Sequence, residues 1–313
     1  MRTAIVVPDD FPPVFSGTAA ETALRALGDV TVHTARGTDD EAELIRRVGD
    51  ATAVVNIRAY SKFTDRVLAA CPNLRLISMW GTGTDNVDVA ACRARGVAVA
   101  STPGVNAHAV AEHTLALMLS VTRAIPAMDA AIRAGRWPRR LLTQLEGKTL
   151  GLVGLGPIGQ RVAALARPFG LRLLVSTWGP DGGRAAAIGA RHVPLDALLR
   201  ESDIVSLHLR LTAETRGILG PAELAVMKPS AFLVNTARAA LVDRQSLIDA
   251  LRHGRLAGAA LDVFHQEPLP VDDALLSLPN VVLTPHDAGM TAEVIDVGLQ
   301  RAVENVARFL SGD

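Results

Sequence analysis

The sequence predicts an α/β protein built from two doubly wound parallel-sheet domains. Short apolar runs alternate with helical periods along the chain, as in parallel sheets joined by crossover helices. At 313 residues the chain is long for a single core. One apolar run, Leu150 to Val153, leads directly into Gly154, Gly156 and Gly159, a G-x-G-x-x-G turn that opens a helix-forming stretch ending near Phe169.

Composition removes several function classes. Apolar residues make up 49% and the formal net charge is zero, so nothing draws the chain toward nucleic acid or a membrane surface. No run approaches the roughly 18 continuous apolar residues of a membrane span. The first residues, Met1 to Val7, read as a strand rather than a signal peptide. Cys71 and Cys92 have neither metal-ligand nor CxxC spacing, so no metal and no disulfide framework is expected. A cytoplasmic protein is the simplest reading.

Taken in order, Ala4–Val7, Val30–His33, Ala53–Ile57 and Leu74–Met79 read as strands. The helices between them fall at Thr18–Leu27, Asp40–Val48 and Asp65–Ala70. The loop Gly81-Thr82-Gly83 follows the fourth strand, at the carboxyl edge where parallel sheets bind ligands. Its N–H groups suit a carboxylate, although a plain flexible turn explains the glycines equally well. Residues 106 to 124 form a helix that is apolar nearly all round, which is buried or covered by a partner chain. Residues 126 to 147 are more polar and include Trp137 and Pro138, as in an arm reaching toward a second subunit.

The glycine turn predicts a dinucleotide site. Gly154 permits the tight turn, Gly156 lets a pyrophosphate approach, and Gly159 lets helix and strand pack closely. N–H groups at the helix start, around Pro157 and Ile158, would face the phosphates. Leu171–Val175, Ile204–Leu207, Ala231–Asn235, Ala257–Asp262 and Val281–Leu283 continue the sheet to six or seven strands, with a helix at Asp243–His253. The helical tail, 291 to 310, is expected to return to the first domain, making that domain discontinuous.

Three loops after strands carry chemistry-bearing residues. Arg238 follows Ala231–Asn235, Glu267 follows Ala257–Asp262, and His286 follows Val281–Leu283. The planar guanidinium of Arg238 suits a bidentate grip on a carboxylate. His286 can exchange a proton near neutral pH, and Glu267 can orient its ring. His208, after Ile204–Leu207, shares the same edge, and placement alone does not decide between the two histidines.

Seven motifs in order resemble the D-isomer-specific 2-hydroxyacid dehydrogenase family. They are Gly81-Thr82-Gly83-Thr84-Asp85-Asn86-Val87-Asp88, Ala111-Glu112-His113-Thr114, the glycine turn, Met227-Lys228-Pro229, Asn235-Thr236-Ala237-Arg238, Leu261-Asp262-Val263-Phe264 with Glu267-Pro268, and Thr284-Pro285-His286. The resemblance covers nearly the whole chain. It implies a Rossmann-type cofactor domain (99–285) inserted in a flavodoxin-like substrate domain (1–98 and 286–313). It also implies that Arg238, Glu267 and His286 are the catalytic trio, acting on a small 2-keto or D-2-hydroxy acid with NAD or NADP. Thr236, Ala237 and Asp262 are then expected at the nicotinamide, and Arg58, Gly81, Thr82 and Gly83 at the substrate. A homodimer joined through the cofactor domain is expected as well.

Some positions depart from the family pattern. Thr177 stands where an acidic residue usually binds the ribose of NAD; Asp181 comes too late, and the nearest arginine is Arg184. The preference between NAD and NADP is open, with a lean toward NADP. Ala239 replaces a common glycine, and Asp287 beside His286 would either favour the protonated form of the histidine or disfavour a second anionic group on the substrate. The short segment from Trp137 to Gly147 lacks extra basic residues, and no C-terminal regulatory domain follows, so an unphosphorylated substrate is expected. Two other readings fit the same fold: a dinucleotide-sensing interaction protein, and a dehydrogenase of another small substrate such as formate or phosphite.

Overall fold

The computed structural model describes residues 2–37, 40–58, 60–177, 179 and 183–312, which divide into two compact units. The first comprises 1–106 and 290–313, the second 107–289.

In the first unit, strands β1 (Thr3–Val7), β2 (Gly28–Val32), β3 (Ala53–Asn56), β4 (Leu76–Met79) and β5 (Ala98–Ala100) alternate with helices α1 (Ala19–Leu27), α2 (Glu41–Val48), α3 (Asp65–Ala70) and α4 (Val89–Ala94). The sheet is parallel in the order β2-β1-β3-β4-β5, the flavodoxin-like order. Thr18, Thr64 and Asp88 cap α1, α3 and α4 by accepting N–H bonds from the first turn, which fixes where those helices begin.

The second unit contains α5 (Ala107–Thr122), α6 (Ile125–Arg133), β6 (Thr149–Val153), α7 (Pro157–Ala166), β7 (Arg172–Ser176), α8 (Arg184–Ala187), β8 (Arg191–His192), α9 (Leu195–Glu201), β9 (Ile204–Leu207), α10 (Pro221–Val226), β10 (Phe232–Asn235), α11 (Arg244–Arg252), β11 (Gly258–Leu261) and β12 (Val281–Leu283). Its seven strands are parallel in the order β12-β11-β10-β9-β6-β7-β8. The strand order reverses between β6 and β9, and the glycine turn leaves β6 at that switch point, where open α/β sheets bind ligands. Alternate residues serve two cores: Leu233 packs on one face of the sheet, Phe232 and Val234 on the other. Burial on both faces is why β6, β9, β10 and β11 read as continuous apolar runs. Each fully buried Leu or Ile stabilises the fold by about 1.5–3 kcal/mol relative to exposure.

The last helix, α12 (Ala292–Ser311), packs in the first unit against α1, β3 and β4, with Leu299, Ala302, Val303 and Val306 in the core. The unit boundaries differ from 98/99 and 285/286. β5 pairs with β4, so residues 98 to 100 are strand and the first unit runs on to Asn106. His286 stays with the second unit, because the residues after it are tied to β11 (below). Residues 126 to 147 are not an arm throughout: their first part is α6. Among the described residues no single helix is long and apolar enough to cross a membrane, and most of the apolar surface of α5 is buried inside its own unit.

Candidate active site

A methyl group at each glycine of the turn would meet different surroundings. Gly154 has φ +103°, and a Cβ there would lie 2.6 Å from the carbonyl oxygen of His208. A Cβ on Gly159 would lie 2.5 Å from the carbonyl of Gly154, so this glycine is required by the contact of α7 with the turn. Gly156 differs: a Cβ there would meet nothing within 4 Å. The fold does not need that hydrogen, and the open space in front of it is where a pyrophosphate would sit. Gly156 caps α7 without a side chain, Pro157 has no N–H to lose, and the first helical bond is Gln160 N–H to Gly156 O. The N–H groups of Ile158 and Gly159, in the first turn of α7, have no intrahelical acceptor, and the helix dipole favours an anion there. The residues present fit a dinucleotide.

At the end of β7, Thr177 Oγ1 donates to the carbonyl of Gly179 at 2.6 Å and lies 3.2 Å from His192 Nε2. Trp178 and Asp181 lie outside the described residues.

Three loops leave the carboxyl edge of the same sheet. After β10, the Asn235 side chain bonds the carbonyl of Arg238 (2.9 Å) and the N–H of Ala237 (3.0 Å), folding residues 235 to 238 into a closed turn. After β11, Phe264 N–H donates to Glu267 Oε1 at 2.9 Å. After β12, His286 Nδ1 sits 2.8 Å from Glu267 Oε2. Burial would push the Glu267 carboxyl up. The His286 hydrogen bond and charge, the Phe264 N–H and the Arg238 guanidinium outweigh it and hold Glu267 below the usual carboxylate range. Arg238 thus acts electrostatically on the pair, and all three predicted side chains belong to one edge.

His208 is elsewhere. Its carbonyl packs against Gly154, its ring bonds Ser206 Oγ at 3.0 Å, and burial pushes its imidazole down to about 4. Held neutral, it is no proton donor at neutral pH.

His286 has φ +59°, a left-handed conformation that costs a non-glycine residue on the order of 1–3 kcal/mol. Asp262, with no exposed surface, holds it there. Its Oδ1 accepts from Thr284 Oγ1 (2.6 Å) and Asp287 N (3.1 Å), and its Oδ2 from Ala288 N (3.1 Å). His113 Nε2 reaches Thr284 Oγ1 at 3.0 Å, and Thr114 Oγ1 reaches Thr236 Oγ1 at 2.9 Å. Sequence reasoning missed His113, Thr114 and Thr284 as site residues. The motifs containing them marked them, but nothing in helical periodicity does. Thr236, Ala237 and Asp262, expected at the nicotinamide end of the cofactor, lie on the loops of this sheet edge, where the Thr236 hydroxyl, the Ala237 N–H and the Asp262 carboxylate are hydrogen-bonded within the unit. Ligand atoms of His113, Asp262 and Asp287 lie within 4.8 Å of one another. The first two are already in these hydrogen bonds, so the group is a hydrogen-bond network rather than a prepared metal cage.

In the first unit, Gly81 has φ +114° and its N–H donates to Thr102 Oγ1 at 2.7 Å, so this amide is not free for substrate. The N–H groups of Thr82 and Gly83 have no acceptor among the described residues. Arg58 donates to the carbonyl of Pro12 and approaches Met290 Sδ at 3.7 Å, while its buried Nε has no partner.

Comparison with known proteins identifies the family. Residues 115–288 match the family profile described as D-isomer specific 2-hydroxyacid dehydrogenase, NAD binding domain. The chain belongs to that family. It is 42% identical to the glyoxylate reductase of Aeropyrum pernix over 266 residues, 81% of this chain and 79% of that protein. It is 41% identical to the D-3-phosphoglycerate dehydrogenase of Mycobacterium leprae, covering 94% of this chain but 56% of that one. Among solved structures, the NADPH-dependent glyoxylate/hydroxypyruvate reductase of Sinorhizobium meliloti, in complex with NADP and malonate, superposes with a TM-score of 0.87 at 30% identity, covering 99% of this chain and 94% of that one. This dehydrogenase uses NAD or NADP.

Two outcomes test the site. Gly156→Ala should leave thermal stability within roughly 0.5 kcal/mol of wild type while weakening cofactor binding at least about tenfold. Gly159→Ala should destabilise the fold itself by about 1–3 kcal/mol. Denaturation and nicotinamide fluorescence separate the two effects. The second concerns pH. Glu267 is held below its unfolded value, so its contribution to stability is present at neutral pH and is lost as pH falls through the carboxylate range. Wild-type Tm should therefore drop more steeply than that of Glu267→Gln between about pH 5 and pH 3.

Proposed function

We propose that this dehydrogenase interconverts a small, unphosphorylated 2-keto acid and its D-2-hydroxy acid, with His286 and Glu267 as the acid/base pair and Arg238 on the substrate carboxylate. The observation that carries the proposal is the 2.8 Å contact of His286 Nδ1 with Glu267 Oε2, under the charge of Arg238. With Nδ1 engaged, Nε2 is the ring atom that exchanges a proton with substrate.

When bound, the reduced nicotinamide supplies the hydride. The chain does the rest. Arg238 orients the keto acid through its carboxylate and stabilises the negative charge that grows on the carbonyl oxygen. His286 gives its Nε2 proton to that oxygen, and Glu267 stabilises the imidazolium beforehand and fixes the ring. General acid help of this kind contributes roughly 100- to 10,000-fold.

Thr177 in place of an acidic residue removes a repulsion against the 2′-phosphate, so NADPH should be accepted. Turnover distinguishes this enzyme from a dinucleotide sensor of the same fold. We also propose a cytoplasmic homodimer joined through the cofactor domain. Ile125, Ile132 and Leu142 are exposed, Trp137 is 76% exposed and Leu141 fully so, five apolar side chains within one stretch of the cofactor domain that a partner chain could cover.

Nicotinamide absorbance with glyoxylate, hydroxypyruvate, pyruvate and bulkier 2-keto acids, using NADH and NADPH in parallel, is the direct test. One or more should be reduced; His286→Ala should lose at least roughly 100-fold in kcat, and Arg238→Ala should raise KM sharply. Binding of cofactor with no turnover of any keto acid, or turnover of formate or phosphite alone, would replace this reading. For assembly, sedimentation should give twice the chain mass, and Leu141→Glu should shift it toward one; a monomeric wild type removes the dimer.

A further inference from the structure

We infer that His113 and Thr114, neighbours on α5, are positioning residues that hold the His286 loop and the Arg238 loop in register with each other. The inference rests on the acid/base and carboxylate-binding roles given to those two residues above.

Proton counting fixes the direction of each bond. A threonine hydroxyl has one hydrogen. That of Thr284 goes to Asp262 Oδ1 at 2.6 Å, so the 3.0 Å contact with His113 is an Nε2–H donated to Thr284 Oγ1. That of Thr114 goes to the carbonyl of Val110 at 2.7 Å, so Thr236 donates to Thr114 at 2.9 Å. Thr284 lies two residues before His286, and Thr236 two before Arg238. The buried helix α5 thus reaches both loops from successive residues. It packs against β10, β11 and β12, the strands from which the Arg238, Glu267 and His286 loops leave, and against α7, the helix of the glycine turn.

The His286 loop needs this support. Its left-handed backbone persists only while the groups around it over-determine it. Asp262 supplies three of the holds, and His113 lies 3.6 Å from the same carboxylate oxygen, limiting how far Thr284 and Asp262 can move. No substrate or cofactor contact by His113 or Thr114 is required. Both act through another residue.

The two links should fail differently, which a merely structural role would not produce. His113→Leu should lower kcat by roughly 10- to 100-fold, since a displacement near 1 Å can cost that much. It should increase the solvent isotope effect while KM for the keto acid stays within about threefold. Thr114→Val, equal in volume, should raise KM for the keto acid about tenfold or more with a smaller effect on kcat. Thr284→Val should copy His113→Leu, and Thr284→Ser and Thr114→Ser should restore most of each loss. NADPH binding, read by fluorescence, should be unchanged in all of them. Equal losses of kcat, KM, cofactor binding and Tm would overturn the inference, as would wild-type kinetics in His113→Leu and Thr114→Val. The ring ¹⁵N signals of His286 in the cofactor-bound chain should shift in His113→Leu. They report on positioning even if wild type turns over no keto acid, an outcome that would sink the proposed function separately. Unmoved signals would overturn the inference by themselves.

Discussion

A carboxylate with no exposed surface has to be hydrogen-bonded on all sides, and Asp262 imposes that demand on the second unit. It stands one residue beyond β11, in the middle of the strands that carry the site. One donor comes from the Thr284 side chain and two from the backbone of Asp287 and Ala288. Three donors from one pentapeptide can converge on one carboxylate only if the chain folds back on itself. It does so at Pro285 and His286, where His286 N–H reaches the carbonyl of Thr284 at 3.1 Å. The left-handed backbone of His286 follows from that fold-back. The strain is local, and the satisfied buried charge offsets it. The imidazole is thereby presented to Glu267 rather than to solvent alone.

The glycine turn obeys a different constraint, and its three glycines are not equivalent. Gly154 and Gly159 are demanded by the protein, since any side chain would strike the backbone of His208 or of the turn itself. Gly156 is demanded by nothing among the described residues. Space that the fold leaves open at a helix N-terminus with uncapped N–H groups has a functional rather than a structural explanation.

Much of this was legible in the sequence because burial on both faces of a parallel strand writes itself as an apolar run. Ile204–Leu207 and Val281–Leu283 coincide with observed strands. β5 and β8 left weaker traces or none. β8 is two exposed residues, Arg191 and His192, and β5 is three exposed or half-buried ones in the short apolar stretch Val97–Ala100, too brief to stand out as a strand. Missing β5 is what put the first boundary at 98. The loops carrying Arg238, Glu267 and His286 were visible as sequels to strands, but the choice between His286 and His208 was not. Both follow strands on one edge; they differ in where the ring points, which depends on a backbone angle at one and on Ser206 at the other. The hydroxyl links through Thr114 and Thr284 were invisible for a related reason. Periodicity reports that a residue is inside, not which polar partner it meets there.

The apolar helix α5 shows the same limit from the other side. A helix apolar nearly all round has two explanations, burial in its own unit or cover by a partner chain. Here Ala109, Val110, Ala111, Leu117, Met118 and Val121 are buried within the single chain. The helix therefore says nothing of a second subunit. Its apolar surface is accounted for by α7 and the strands of the site, which is what gives His113 and Thr114 fixed positions beneath two loops. Several exposed apolar side chains follow it between Ile125 and Leu142, where Trp137 and Leu141 stand in solvent. The proposed dimer surface is therefore that segment, and α5 carries the proposed positioning role.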